Sequence, residues 1–142
     1  NNFGKADSLC SDIINLDSYQ INDKLYLSFY WNYNINGEFP DYEDSIKLEF
    51  YNKNNKWKTV WYKNGGSNNF PGNNFKYEII QIKEEYLHDK FMFKFYNLGN
   101  TEGPFDSWAL DYIYLNKNRN INDSTILDRA VTYKPKNIFK KI

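Results

Sequence analysis

A single cysteine, Cys10, excludes an internal disulfide and any cysteine-based zinc cluster. Lying beside Leu9 and near Ile13, it reads as a buried structural thiol. The one histidine, His88, falls in a charged connection with no serine or cysteine placed to use it as a base, so it reads as a solvated loop residue. Neither charge is in excess: 18 basic residues balance 18 acidic ones, and no overall field exists to gather nucleic acid or an anionic membrane. No apolar run approaches the roughly 20 residues that a membrane-spanning helix needs. No signal peptide opens the chain, and its start at Asn1 reads as a processed or excised piece whose targeting signal lies outside it.

What the chain has is aromatic side chains, 13 Tyr, 11 Phe and 4 Trp in 142 residues, which favour pleated, half-buried surfaces. The length is that of one domain able to bury a core without disulfides. The dominant period is two. Leu25, Leu27, Phe29, Trp31 and Tyr33 alternate with Tyr26, Ser28, Tyr30 and Asn32, and Ile46, Leu48 and Phe50 alternate with Lys47, Glu49 and Tyr51. Residues 52–56 interrupt the pattern and Trp57 to Tyr62 resumes it, which predicts a hairpin. Further strands are expected at Leu9–Leu16, Phe75–Ile82, Phe91–Tyr96, Trp108–Leu115 and Thr125–Tyr133, with about one helical turn in Lys83–Asp89. The sum is an all-β fold, an antiparallel two-sheet jelly-roll sandwich of about eight strands over residues 1–134. Residues 135–142 then form a C-terminal tail or the start of a linker.

If consecutive strands run antiparallel, their connections alternate between the two ends of the sandwich. Connections Ile35–Glu43, Asn64–Asn74 and Gly99–Asp106 then share one end, and they carry nine of the eleven glycines and prolines. The same loops bring Phe39, Tyr42, Phe70 and Phe105 together with Asp41, Glu43, Asp44 and Asp106. Loops on a rigid scaffold are where recognition concentrates, so this end is the candidate functional face, with Trp61 near it offering a flat surface to a sugar ring or a partner side chain. Core packing is the leading reading for any one tryptophan, Trp61 included, which the strand period places on one face with Trp57 and Thr59.

The acidic group Asp41, Glu43, Asp44 and Asp106 offers hard oxygen ligands for Ca²⁺, or simply a solvated carboxylate-rich loop end. Glu43 and Asp44 are adjacent and point to opposite faces, a poor start for a glycosidase pair about 5 Å apart, and no other catalytic constellation is present. Asp111 shares a strand face with Ala109, Ile113 and Leu115, which makes it a buried structural carboxylate in need of a partner such as Arg129.

The segment Asp106-Ser107-Trp108-Ala109-Leu110-Asp111-Tyr112-Ile113 resembles the closing strand of MAM-type and related concanavalin-like jelly-roll domains. The order of Ser11–Leu16, Leu25–Trp31, Asp44–Leu48 and Trp57–Val60 is similar to theirs, so the likeness spans about Asp7 to Leu115. The chain departs from that family in having one cysteine rather than several, and in carrying Tyr112 where the motif has a second Asp. The resemblance implies a non-catalytic recognition or adhesion module of a bacterial cell-surface or exported protein, with a protein or a glycan as partner. It is also compatible with an accessory part of an outer-membrane secretion or gliding machinery, or a carbohydrate-binding module attached to an enzyme. Fold analogy alone does not choose among these.

Overall fold

Leu27, Phe29, Trp31 and Tyr33 are all buried, and they set the inward face of the strand around which the fold is built. A computed structural model describes residues 2–33, 38–69, 72–103 and 105–124. Among these the strands are β1 (Phe3–Cys10), β2 (Tyr26–Tyr33), β3 (Ser45–Tyr51), β4 (Trp57–Asn64), β5 (Lys76–Gln81), β6 (Phe93–Asn100) and β7 (Trp108–Asn116). A four-stranded sheet in the order β1-β6-β3-β4 faces a three-stranded sheet in the order β5-β2-β7, and every pairing is antiparallel. The chain is thus an antiparallel β-sandwich, with helix among the described residues confined to single 3-10 turns such as Glu84–Tyr86. The strand expected at Thr125–Tyr133, the domain boundary at residue 134 and Arg129 lie outside the described residues. No helix among the described residues is long and apolar enough to cross a membrane.

Between the sheets, Phe29 meets the edges of Trp61 and Phe95 with ring centroids 4.9 Å away in each case. Lower down, Phe50 packs at 5.3 Å against both Phe91 and Tyr86. Edge-to-face pairs of this kind add to what area burial alone supplies. Strand β2 is covered on both sides. Its outward Ser28 and Asn32 are buried too, bonded to the Tyr114 carbonyl at 3.4 Å and the Gly72 carbonyl at 3.2 Å.

Two bulges overturn face assignments made from a strict period of two. In β4, Leu48 faces Trp61 but Glu49 faces Thr59, so Val60 is an extra residue. Trp57 therefore lies on the outer face, where the Lys94 amine sits 4.0 Å above its ring, while Trp61 turns into the core. In β7, Ser28 faces Tyr114 and Tyr30 faces Asp111, so two positions on β2 span three on β7. The inward set is Trp108, Leu110, Ile113 and Leu115, and Tyr112 takes φ +46° at the kink. Asp111 is consequently exposed, against the expectation of a buried carboxylate. Its Oδ1 accepts the Tyr112 N–H at 2.7 Å. Asp111→Ala should then change unfolding free energy by no more than about 0.5 kcal/mol, the usual range for surface sites. A larger loss in urea denaturation would contradict this placement.

The first strand also differs from expectation. It runs over Phe3–Cys10 rather than Leu9–Leu16, and beyond Cys10 only an isolated bridge, Ile14 to Phe91, continues the ladder. As the edge of the larger sheet, β1 is exposed along most of its length, and Cys10 is an exposed thiol rather than a buried one. His88 is not a solvated loop residue either. It is half-buried, with Nε2 3.0 Å from the Tyr51 carbonyl and Nδ1 accepting the Lys90 N–H at 3.2 Å. These bonds tie β3 to the connection before β6.

Candidate functional site

The strand register brings the described residues between β2 and β3, between β4 and β5, and between β6 and β7 to one end of the sandwich, together with Asn2 and Phe3. Their backbones are locked to one another. The Gly66 N–H donates to the Pro40 carbonyl at 2.7 Å, the Gly65 N–H to the Asp44 carbonyl at 2.9 Å, and the Tyr33 hydroxyl to the Gly66 carbonyl at 2.8 Å. A Cβ at Gly65 would lie 2.4 Å from the Asp41 carbonyl oxygen, so only glycine permits this approach.

Asp44 and Asp106 are 3% and 7% exposed, and they come together from two different loops. The Asp41 N–H donates to Asp44 Oδ2, and the Asn100 N–H donates to Asp106 Oδ2 at 2.9 Å. Gly99 makes room for the pair, because a Cβ there would stand 3.0 Å from Asp106 Oδ2 and 3.3 Å from Asp44 Oδ1. Burial pushes the Asp44 carboxyl up to about 6, against the Asp41 hydrogen bond and with help from the charge and hydrogen bond of Asp106. The two carboxyls thus stand together where the loops meet.

This pair forms the wall of a depression of about 600 Å³, into which Glu38, Asp41 and Glu43 also face and which Phe3 and Phe105 border. The four carboxylates expected at one end do meet around this depression. Among the described residues, no three His, Cys, Asp or Glu side chains are grouped so that they could hold an ion. Asp44 and Asp106 each accept a backbone N–H, while Asp41 and Glu43 are exposed.

On the other side of Tyr42 lies a second depression of about 690 Å³ with a different chemistry. Tyr42 and Tyr62 flank it, 70% and 59% exposed. Its floor is Trp31, whose Nε1 donates to Glu78 Oε1 at 3.2 Å. Lys63 Nζ lies 3.7 Å from the same oxygen and 5.8 Å from the Trp31 ring centre, and Lys76 and Asn64 complete the polar lining.

Of the five side chains expected to bind a ligand, Phe39, Tyr42 and Phe105 are exposed at this end, and Phe70 lies outside the described residues. Trp61 does not belong with them. The β4 bulge buries it between Phe29 and Trp31, so it presents no surface to a ligand. Sequence reasoning missed Tyr62, Lys63, Lys76 and Glu78. Their one signal was a lysine, Lys63, two residues after a tryptophan near a strand end, which the bulge turns inward over Trp31.

No protein-family model matches the chain, and no curated protein matches it.

Proposed function

We propose that this chain is a non-catalytic recognition domain of a bacterial cell-surface or exported protein, engaging a protein or a glycan through its loop end. One observation carries the reading. The exposed large aromatic side chains among the described residues are Phe3, Phe39, Tyr42, Tyr62, Phe75 and Phe105, and all six stand at or next to that end. The exposed large aliphatic residues, Leu9, Ile13, Ile21 and Ile121, lie toward the other end. Scattered single apolar residues are ordinary on a protein surface, but rings gathered on rigid loops are what binding surfaces use. The loop locks at Gly65, Asp44 and Asp106 support the same reading, since fixing loops in advance reduces the entropy lost on binding. The resemblance to MAM-type domains agrees with recognition rather than chemistry.

The test compares two sets of surface changes in the same assay, retention of components from a native bacterial envelope extract. Tyr42→Ala, Tyr62→Ala and Phe105→Ala together should lower retention at least about tenfold, as expected when central aromatic anchors are removed. Ile13→Ala, Ile21→Ala and Ile121→Ala together should leave it unchanged. Equal loss from both sets, or loss from the second alone, would reject the loop end as the binding face.

A further inference from the structure

We propose that the depression between Tyr42 and Tyr62 binds an acidic saccharide, a sugar carrying a carboxylate. This rests on the reading of the loop end as the binding face and names the ligand class for one part of it. Charge is the first argument. The depression holds two ammonium groups, Lys63 and Lys76, and one carboxylate, Glu78. Glu78 is already engaged by the Trp31 indole N–H at 3.2 Å and by Lys63 at 3.7 Å. Lys76 is exposed and has no ion pair among the described residues, so the site carries a net positive charge directed to solvent. Across the Tyr42 loop, the neighbouring depression is lined by Glu38, Asp41, Glu43, Asp44 and Asp106. An anionic ligand is repelled from that side and accepted on this one, which fixes both its sign and its place.

The shape of the lining favours a sugar over an acidic peptide. A peptide anchors by sinking an apolar side chain into a dry pocket. Here the floor is a polar array of indole N–H, carboxylate and ammonium, with the Asn64 amide beside it, and the apolar surface is the pair of exposed tyrosine rings at the sides. Flat rings beside hydrogen-bonding groups suit a ring compound that has one apolar C–H face and an edge of hydroxyls. The volume of about 690 Å³ accommodates a ligand of one to a few rings. In this arrangement Tyr62 and Tyr42 take the ring faces, Lys76 pairs with the carboxylate, and Lys63 with Asn64 takes hydroxyls.

The experiment is a titration followed by intrinsic tryptophan fluorescence, which Trp31 on the floor should report. The probes are oligogalacturonate, its carboxyl-reduced neutral counterpart, a sialic-acid oligomer and a poly-glutamate peptide, each at low and high salt. At least one acidic oligosaccharide should bind about tenfold or more tightly than the neutral one, as a charge-assisted contact implies, and salt should narrow the gap. Tyr62→Ala and, separately, Tyr42→Ala should remove saccharide binding with the melting temperature kept, since both side chains are exposed. Lys76→Glu should erase the preference for the acidic form. Equal affinity for acidic and neutral sugars, preference for poly-glutamate, binding insensitive to these variants, or no binding to either acidic probe would each overturn the proposal. The extract experiment above separates this failure from failure of the loop end itself. If the aromatic set still controls retention there while the acidic sugars do not bind, the face stands and the saccharide falls.

Discussion

Arg119→Ala should destabilise the domain by about 3–5 kcal/mol, the range found when one partner of a buried ion pair is removed. Arg119 is only 4% exposed, in the connection that follows β7. Its Nε donates to Asp123 Oδ2 at 2.7 Å, and one Nη donates to the Tyr114 carbonyl at 3.0 Å and the Tyr26 carbonyl at 3.4 Å. The other Nη reaches the Tyr77 hydroxyl at 3.0 Å, and the guanidinium lies 4.7 Å above the Tyr114 ring. One side chain thereby touches β7, β2 and β5, every strand of the smaller sheet. Truncation strips these carbonyls of a buried donor and breaks the ion pair with the Asp123 carboxylate. Arg119→Lys keeps the charge but not the planar fork, and should recover less than half of the loss. Equilibrium urea denaturation measures both, and a loss for Ala below about 1 kcal/mol would mean that water replaces the guanidinium without penalty.

Arg119 also marks where sequence reading stops. It is one of two arginines in the chain, set in Asn118-Arg119-Asn120, and nothing local distinguishes it from a solvated loop residue. Its partners are carbonyls and a hydroxyl far away along the chain, which only the fold assembles. Strands β2 and β3 were legible for the opposite reason. Each lies in the interior of its sheet, so Leu27, Phe29, Trp31 and Ile46, Leu48, Phe50 print the inner face directly in alternate positions. Strand β1 was misplaced because it is an edge with little to bury, and Phe3-Gly4-Lys5-Ala6-Asp7-Ser8 carries no alternation to read.

The two bulges explain the errors at single side chains. A bulge exchanges inside for outside along the rest of a strand, yet neither Val60 nor Tyr112 is the Gly or Asn that commonly marks one. That is why Asp111 and Trp61 were given the wrong neighbours. The ends of the sandwich survived these errors, since a bulge alters which way side chains point but not which way a strand runs. The grouping of the loops, and with it Tyr42, Phe105 and the four acidic residues, was therefore legible. The buried, raised carboxyl of Asp44 beside Asp106 was not, because density of carboxylates in a sequence looks the same whether they are solvated or buried.

That carboxyl should make the domain more stable in mild acid than at neutral pH. The Asp44 carboxyl has an ordinary value of 3.8 and is raised to about 6 in the fold, first by burial. Between those two values the folded chain binds more protons than the unfolded one, so stability falls as pH rises. The contribution is fully present below about 4 and lost as pH passes through about 6, for a total on the order of 2–3 kcal/mol. Glu85 works the other way. The hydrogen bond from Lys58 holds it below its ordinary value, and its contribution is lost on acidification. The overall pH profile therefore mixes both signs, and a substitution at Asp44 isolates its part. Asp44→Asn supplies a carbonyl oxygen for the Asp41 N–H and an amide donor toward Asp106, the pattern of the protonated acid without its titration. The variant should be more stable than wild type by about 2 kcal/mol at pH 7.5, and the two should converge near pH 4. Urea denaturation of both proteins at pH 4, 6 and 7.5 decides it. A difference that does not change with pH, or an asparagine variant less stable than wild type at pH 7.5, would mean that the fold does not raise the Asp44 carboxyl and that the loops are held by the backbone contacts at Gly65 and Gly66.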